Sequence, residues 1–344
     1  MEGDNRARLS VRRFAGVICW GEIKEKANGG RTYAMTLPTC PNCESPNIVV
    51  RPAGRLQPFF VKRVFGIEPP TLASLLPSRL GAGVARLLGG LPSGFWLGLH
   101  RPLQCDILIC EACDFAGPAL PLTDDQLLNL YRDYRTSAYD RERIRYEPSY
   151  RKIAPYVGKS PAEDDARMAH VEAFLAGVPG IESVRNVLDF AGADGRFIPP
   201  QLRRCKCTVY EVSDQTPCRT EITKAGEMAQ LGEFDYIQVC HLLEHVLRPK
   251  QLMESIIRHC AQDGLVYMEV PREATAGRVK DLRIGGGTFP IHEHVNLYTE
   301  KSLAALVEAV GLKMLKIGSE ELDLGWCHFT TLSAVAARVS IAGK

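Results

Sequence analysis

The 344-residue sequence predicts a doubly wound, mostly parallel α/β sheet preceded by a smaller metal-binding module. Three observations point there. From Val184 onward, strand-like and helix-like runs alternate, as a parallel sheet with crossover helices requires. A strand-like run ends in Asp189 and enters a turn of very small residues. Two Cys-x-x-Cys pairs stand in the N-terminal part. The length suits two domains better than one. Lys and Arg (42) nearly balance Asp and Glu (40), and a net charge of +2 gives no global electrostatic case for nucleic acid.

Residues 1–34 mix five arginines with four acids and contain no continuous apolar core, so they read as neither a signal nor a transit peptide. Because Met35 opens the run before the first cysteine pair, 1–34 is expected to be a disordered or non-native extension. The twelve cysteines are spread along a long chain, and four fall into two close pairs, which fits metal binding in a reducing, cytoplasmic setting better than disulfides.

The metal-binding module is placed at 35–122. Cys40 and Cys43 can offer two thiolates from one tight turn, Cys110 and Cys113 two from another, and facing turns of this kind make a closed tetrahedral zinc site. Cys105 is a candidate substitute ligand. The intervening segment is several times longer than the roughly 15–20 residues of compact ribbons. Its stretch 51–101 carries seven Arg and Lys residues against one acid, Glu68, among Leu, Phe, Gly and Pro. It is too interrupted to span a bilayer. A hydrophobic hairpin or helical pair packed on the catalytic part is expected, with contact to a membrane surface or an anionic substrate as the alternative.

A connector follows at 123–160. Thr123-Asp-Asp-Gln predicts a helix start with Leu127, Leu128, Leu130 and Tyr131 on its apolar face. Tyr134, Tyr139, Tyr146, Tyr150 and Tyr156 then sit among arginines and are expected to pack between domains or to wall a substrate site. Ser160-Pro-Ala-Glu163 reads as a capping box that opens a helix to about Ala176.

The third part, 161–344, carries the nucleotide-binding pattern. After Asp189 come Ala191, Gly192, Ala193 and Gly195, small enough for backbone to approach a nucleotide, with a helix expected from about Arg196. The next strand ends at Glu211, 22 residues after Asp189, where an acid can accept hydrogen bonds from ribose hydroxyls.

These residues resemble the class I S-adenosylmethionine-dependent methyltransferases, whose first motif runs Asp-x-Gly-x-Gly-x-Gly; Ala191 and Ala193 stand at two of the glycine places. The resemblance continues through 234–246, with the Leu243-Glu244-His245 signature, then 263–271 as the fifth strand. It ends with 292–317 and a closing strand over 326–336. It covers about half the chain and implies a Rossmann-like sheet of seven strands. AdoMet would then be bound by Asp189, Ala191, Gly192, Gly195, Glu211 and Glu244.

An N-terminal zinc module on such a core is similar to bacterial methyltransferases of nucleotide-linked sugars. In these, a Glu-His pair like Glu293-His294 follows the fifth strand, with a tyrosine two places before the Glu. Here that place holds Ile291. Candidate catalytic residues are His245, His294 and Glu293, because histidine takes a proton near neutrality, whereas His241 and His292 are set aside as packing residues. The acceptor is expected to be a small molecule, phosphorylated or nucleotide-linked. An RNA-binding zinc-ribbon methyltransferase or non-catalytic adaptor, and a nicotinamide-dependent oxidoreductase, are the alternatives.

Overall fold

The structure, a computed structural model, describes residues 39–70, 100–134, 136–272, 279, 281–282 and 287–338, together with the backbone of four short strands within 13–33. The rest of 1–34 and the greater part of the basic insertion (71–99) lie outside the described residues, so the expectations for those segments do too. Among the described residues, no helix is long and apolar enough to cross a membrane.

In the N-terminal half, β1 (Ile48–Leu56) leads into α1 (Pro58–Phe65), and the chain returns as β2 (Leu103–Cys110) and β3 (Ala116–Pro118). β1 and β2 pair antiparallel, with Gly54 opposite Cys105. A Cβ at Gly54 would lie 2.4 Å from Cys105 Sγ. Cys105 is therefore buried against the neighbouring strand and is no substitute ligand: it points into the sheet core, away from the four-cysteine group.

The connector forms α2 (Asp124–Tyr131) and α3 (Ser137–Tyr146). At the start of α2 the Thr123 hydroxyl accepts from the Gln126 amide at 3.2 Å, while Gln126 accepts from Thr123 N at 2.9 Å, the reciprocal cap expected from the sequence. Leu127 and Leu130 are buried, but Leu128 is 65% exposed, at the wall of the large cleft described below. Tyr139, Tyr146 and Tyr150 are buried packing residues; Tyr134 faces the cleft and Tyr156 stacks on Trp326.

The helix from Pro161, α4 (Pro161–Leu175), is present, but not by the expected cap. Ser160 makes no capping bond, and the Glu163 carboxylate accepts from Gly158 N at 3.1 Å instead.

The second half holds a seven-stranded sheet. Its strands are β4 (Asn186–Phe190), β5 (Lys206–Tyr210), β6 (Thr223–Ala225), β7 (Phe234–Cys240) and β8 (Cys260–Pro271), closed by β10 (Leu312–Asp323) and β11 (His328–Arg338). The order is β6-β5-β4-β7-β8-β11-β10. The first five run parallel and β11 is antiparallel to both its neighbours. Chain order reverses between β4 and β7, which opens a crevice at their C-terminal ends.

α5 (Pro249–Ile256) and α6 (Glu300–Ala309) share one apolar core with this sheet, and α4 shares another with it. The helix expected from Arg196 is absent; only a single 3₁₀ turn, Pro200–Leu202, bridges β4 and β5. Pro199 and Pro200 explain this, since proline lacks the N–H donor and drives the preceding residue out of helical conformation.

One strand crosses between the halves. β9 (Phe289–Ile291), from the segment after β8, pairs parallel with β1, placing Ile291 beside Leu56. Both are fully buried. The cysteine turns are equally merged with the catalytic part: Cys40, Cys110, Cys113 and Phe115 share one apolar core with Tyr298, Leu303 and the inner residues of β7 and β8. The buried Asn42 donates to Ser302 O at 2.9 Å, tying the first turn to α6. The N-terminal module is thus a wall of the catalytic half.

Candidate functional site

The two cysteine turns are built alike. Cys40 N donates to Ser45 O and Glu44 N to Cys40 O; Cys110 N donates to Phe115 O and Asp114 N to Cys110 O. Each turn closes with a left-handed residue, Glu44 at φ 60° and Asp114 at φ 62°. The four thiols converge, with Cys40 Sγ 3.8 Å from Cys113 Sγ and Cys43 Sγ 3.7 Å from Cys110 Sγ. A tetrahedron of 2.3 Å zinc–sulfur bonds has edges of about 3.8 Å, which these two distances match, and all four sulfurs lie within 4.8 Å of one another. Cys40→Ser is expected to lower the melting temperature, because the turns are core residues; thermal melts check this.

On the other side, the turn after β4 forms a cradle. Asp189 is buried, and burial pushes its carboxyl up to about 7. Among the described residues its Oδ2 has no partner. A Cβ on Gly192 would lie 2.0 Å from the Asp189 carboxyl carbon, so only glycine fits against it. Ala191 and Ala193 hold φ of 57° and 55°, and Gly195 holds 77°. The two alanines thus occupy left-handed positions, where a Cβ costs roughly 1–2 kcal/mol. Ala193→Gly is expected to raise unfolding stability by about 1 kcal/mol in denaturant titrations. Glu211 reaches the same turn: it accepts from Ala193 N at 3.1 Å and from Ser213 N at 2.8 Å.

Behind the cradle lies a buried charge network that was not legible as a site. Glu269, fully buried on β8, accepts from His241 Nε2 at 2.7 Å, Arg167 Nη2 at 3.3 Å and the Tyr267 hydroxyl at 2.7 Å. Burial pushes its carboxyl up, but His241 and Arg167 outweigh this and hold it far below the usual range. His241 sits at φ 50° and also reaches Glu244 Oε1 at 3.2 Å, so it is more than the packing residue expected. The available signal was a lone acid inside the apolar run Tyr267-Met-Glu269-Val.

The third part of the site is clamped by backbone. Glu244 O accepts from Val295 N at 2.8 Å and Asn296 N at 3.1 Å, and the Asn296 amide donates to Leu243 O and Val246 O. The turn Leu243–His245 and the segment 293–297 are thereby held together. His245 Nδ1 lies 2.9 Å from Glu293 O and 3.0 Å from the Tyr131 hydroxyl, which itself donates to Glu293 O at 2.6 Å. A carbonyl accepts only, so this assigns the proton to Nδ1 and leaves Nε2 bare.

Burial lowers the His245 pKa below 6.5, favouring the neutral ring. Burial pushes Glu244 up, but His245 and His241 prevail and hold it at about 2. The Glu293 carboxylate pairs with Arg143, which overrides burial and holds it at about 2. The His294 ring lies 4.9 Å from that of His245, centroid to centroid. All these groups line one cleft of about 1590 Å³ that runs from Asp189, Gly192 and Glu211 past His241 and Glu244 to His245, Glu293 and His294. Gly195 does not line it; it packs on Ile222.

With this geometry in place, comparison with known proteins is informative. Residues 162–317 match the family model described as "Methyltransferase domain". This segment is a class I S-adenosylmethionine-dependent methyltransferase domain. Among curated protein sequences no match to the chain was found.

Solved structures similar to the methyltransferase domain include the N-methyltransferase NodS from Bradyrhizobium japonicum WM9, 19% identical, covering 52% of this chain and 98% of that one at a TM-score of 0.37. A second is the Burkholderia thailandensis 1,6-didemethyltoxoflavin-N1-methyltransferase with bound S-adenosylhomocysteine, 16% identical over 66% of this chain and 95% of that one, TM-score 0.43. A third is the magnesium protoporphyrin IX methyltransferase of Synechocystis PCC 6803, 13% identical over 62% of this chain and 100% of that one, TM-score 0.38.

Proposed function

We propose that the chain transfers the methyl group of S-adenosylmethionine to a small-molecule acceptor of the nucleotide-linked sugar class or a related metabolite. One observation carries it: a single cleft joins the Asp189–Glu211 cradle to the cluster of Glu244, His245 and His294. The cofactor fits the residues present. The orphan Asp189 Oδ2 and the small residues Ala191 and Gly192 along the cleft suit a charged ligand pressed against backbone. Glu211 at the next strand end suits ribose hydroxyls. When bound, the cofactor supplies a sulfonium methyl as electrophile.

The chain's own residues then do the rest. Ala191 and Gly192 let the backbone approach the cofactor, and Asp189 and Glu211 orient it. His245, its bare Nε2 backed by Glu244, stands at the acceptor end of the cleft. Glu293, committed to Arg143, acts as a positioning residue for the loop that carries His294. The family's tyrosine has no counterpart at Ile291, which is buried in the strand pairing; the phenol near His245 is that of Tyr131, from the connector helix. We further propose that the four cysteines hold structural zinc.

Glu211→Ala is expected to weaken S-adenosylmethionine binding about ten- to hundredfold, since hydrogen bonds to a charged group contribute about 1.5–3 kcal/mol. Calorimetry on the folded variant reads this directly. Unchanged affinity would remove Glu211 from the cofactor site and, with it, the cradle assignment.

A further inference from the structure

We propose that Glu244, His245 and His294 form a binding site for a divalent cation in the acceptor half of the cleft, selecting acceptors that present an oxygen anion. The three side chains each bring one donor atom, and these atoms all lie within 4.8 Å of one another. His245 Nε2 is 3.7 Å from Glu244 Oε1. For any triangle with edges no longer than 4.8 Å, an ion can sit within about 2.8 Å of all three corners, against the 2.0–2.2 Å of nitrogen and carboxylate bonds. A closure of less than an ångström at each donor, roughly, completes the bonds.

Two further observations point to a ligand here. Glu244 is fully buried, yet its Oε2 has no partner among the described residues while the residue lines the cleft. A buried carboxylate oxygen left bare is costly unless something fills the place. His245 has the arrangement of a metal-bound imidazole: Nδ1–H is fixed by Glu293 O, which aims the Nε2 lone pair at Glu244 and His294. The backbone bonds from Val295 and Asn296 to Glu244 O keep the two ligand-bearing segments at fixed separation, so the donor set is preorganised.

Two imidazoles and one carboxylate with open positions suit a transition-metal dication, which an acceptor oxygen can join as a further ligand. The proton of an acceptor hydroxyl then leaves to solvent as the oxygen binds. The site is separate from the thiolate cluster, whose soft donors prefer zinc. The inference rests on the proposed methyl transfer only for the acceptor's chemistry, and not for binding of the ion.

The test is titration of the zinc-replete full chain with Mn²⁺, followed by electron paramagnetic resonance. One Mn²⁺ per chain is expected, with spin-echo modulation from coordinated imidazole nitrogen. Glu244→Gln and His294→Asn should each weaken uptake at least tenfold, and the exposed His328→Ala should leave it unchanged. Absence of uptake, or uptake without nitrogen modulation, overturns the proposal on the unsubstituted protein, whatever the variants do. Unaltered uptake in both folded ligand variants overturns it as well. S-adenosylmethionine calorimetry on the same samples separates the two claims: cofactor binding without Mn²⁺ uptake removes only the metal site, and uptake without cofactor binding removes only the methyltransferase assignment.

Discussion

Glu269→Ala is expected to lower the unfolding free energy by about 3–5 kcal/mol, the range for removing one member of a buried ion pair. The replacement strands three donors at once. Arg167 is 7% exposed and its Nε already lacks a partner, so loss of the carboxylate leaves a buried guanidinium poorly compensated. His241, held in a left-handed conformation, loses its 2.7 Å acceptor, and the Tyr267 hydroxyl keeps only Ser333 at 3.1 Å. Urea titration of both proteins measures the difference; a change under 1 kcal/mol, roughly, would show the network to be dispensable.

The same residue sets a pH dependence. Its folded pKa lies below the ordinary 4.5, so in the unfolded chain it binds a proton more readily. The network's stabilisation is therefore fully present above 4.5 and is lost as pH falls below that value. In the Glu269→Ala protein this part of the acid destabilisation should be missing, so the two stability curves should converge toward low pH.

The second large effect is expected at His245. Replacement by alanine should lower kcat by about 10²–10⁴, the usual scale for removing a side chain that activates the acceptor, directly or through a bound ion. Cofactor affinity should be retained, because His245 lies at the far end of the cleft from Asp189 and Glu211. Steady-state kinetics with calorimetry of S-adenosylmethionine checks both halves. If kcat were unchanged, methyl transfer would take place elsewhere in the cleft, and the assignment of the acceptor side to the turn Leu243–His245 would fall.

The parallel sheet, the Asp189 turn, Glu211 and the paired cysteine turns were all legible in the sequence because each depends on residues close together in the chain. Strand periodicity, small residues in a tight turn and thiols three apart are local demands, and they hold whatever packs around them. Local reading failed where a nearby residue competed with the expected pattern. The helix expected after Gly195 is stopped by Pro199 and Pro200, which cannot continue it. The cap expected at Ser160 gave way to Glu163, which bonds Gly158 instead.

What only the tertiary structure decided is the acceptor half of the site. Tyr131 comes from the connector, Arg167 from α4, Glu244 and His245 from the turn after β7, Glu269 from β8, and His294 from the segment after it. Nothing in their spacing relates these residues to one another. Ile291, which in sequence looks like a missing tyrosine, is explained only by β9 pairing with β1. Strand and turn preferences act over a few residues and can be read in order. The convergence of buried charges from five elements depends on how separate segments pack, and desolvation then decides which of those charges must find one another.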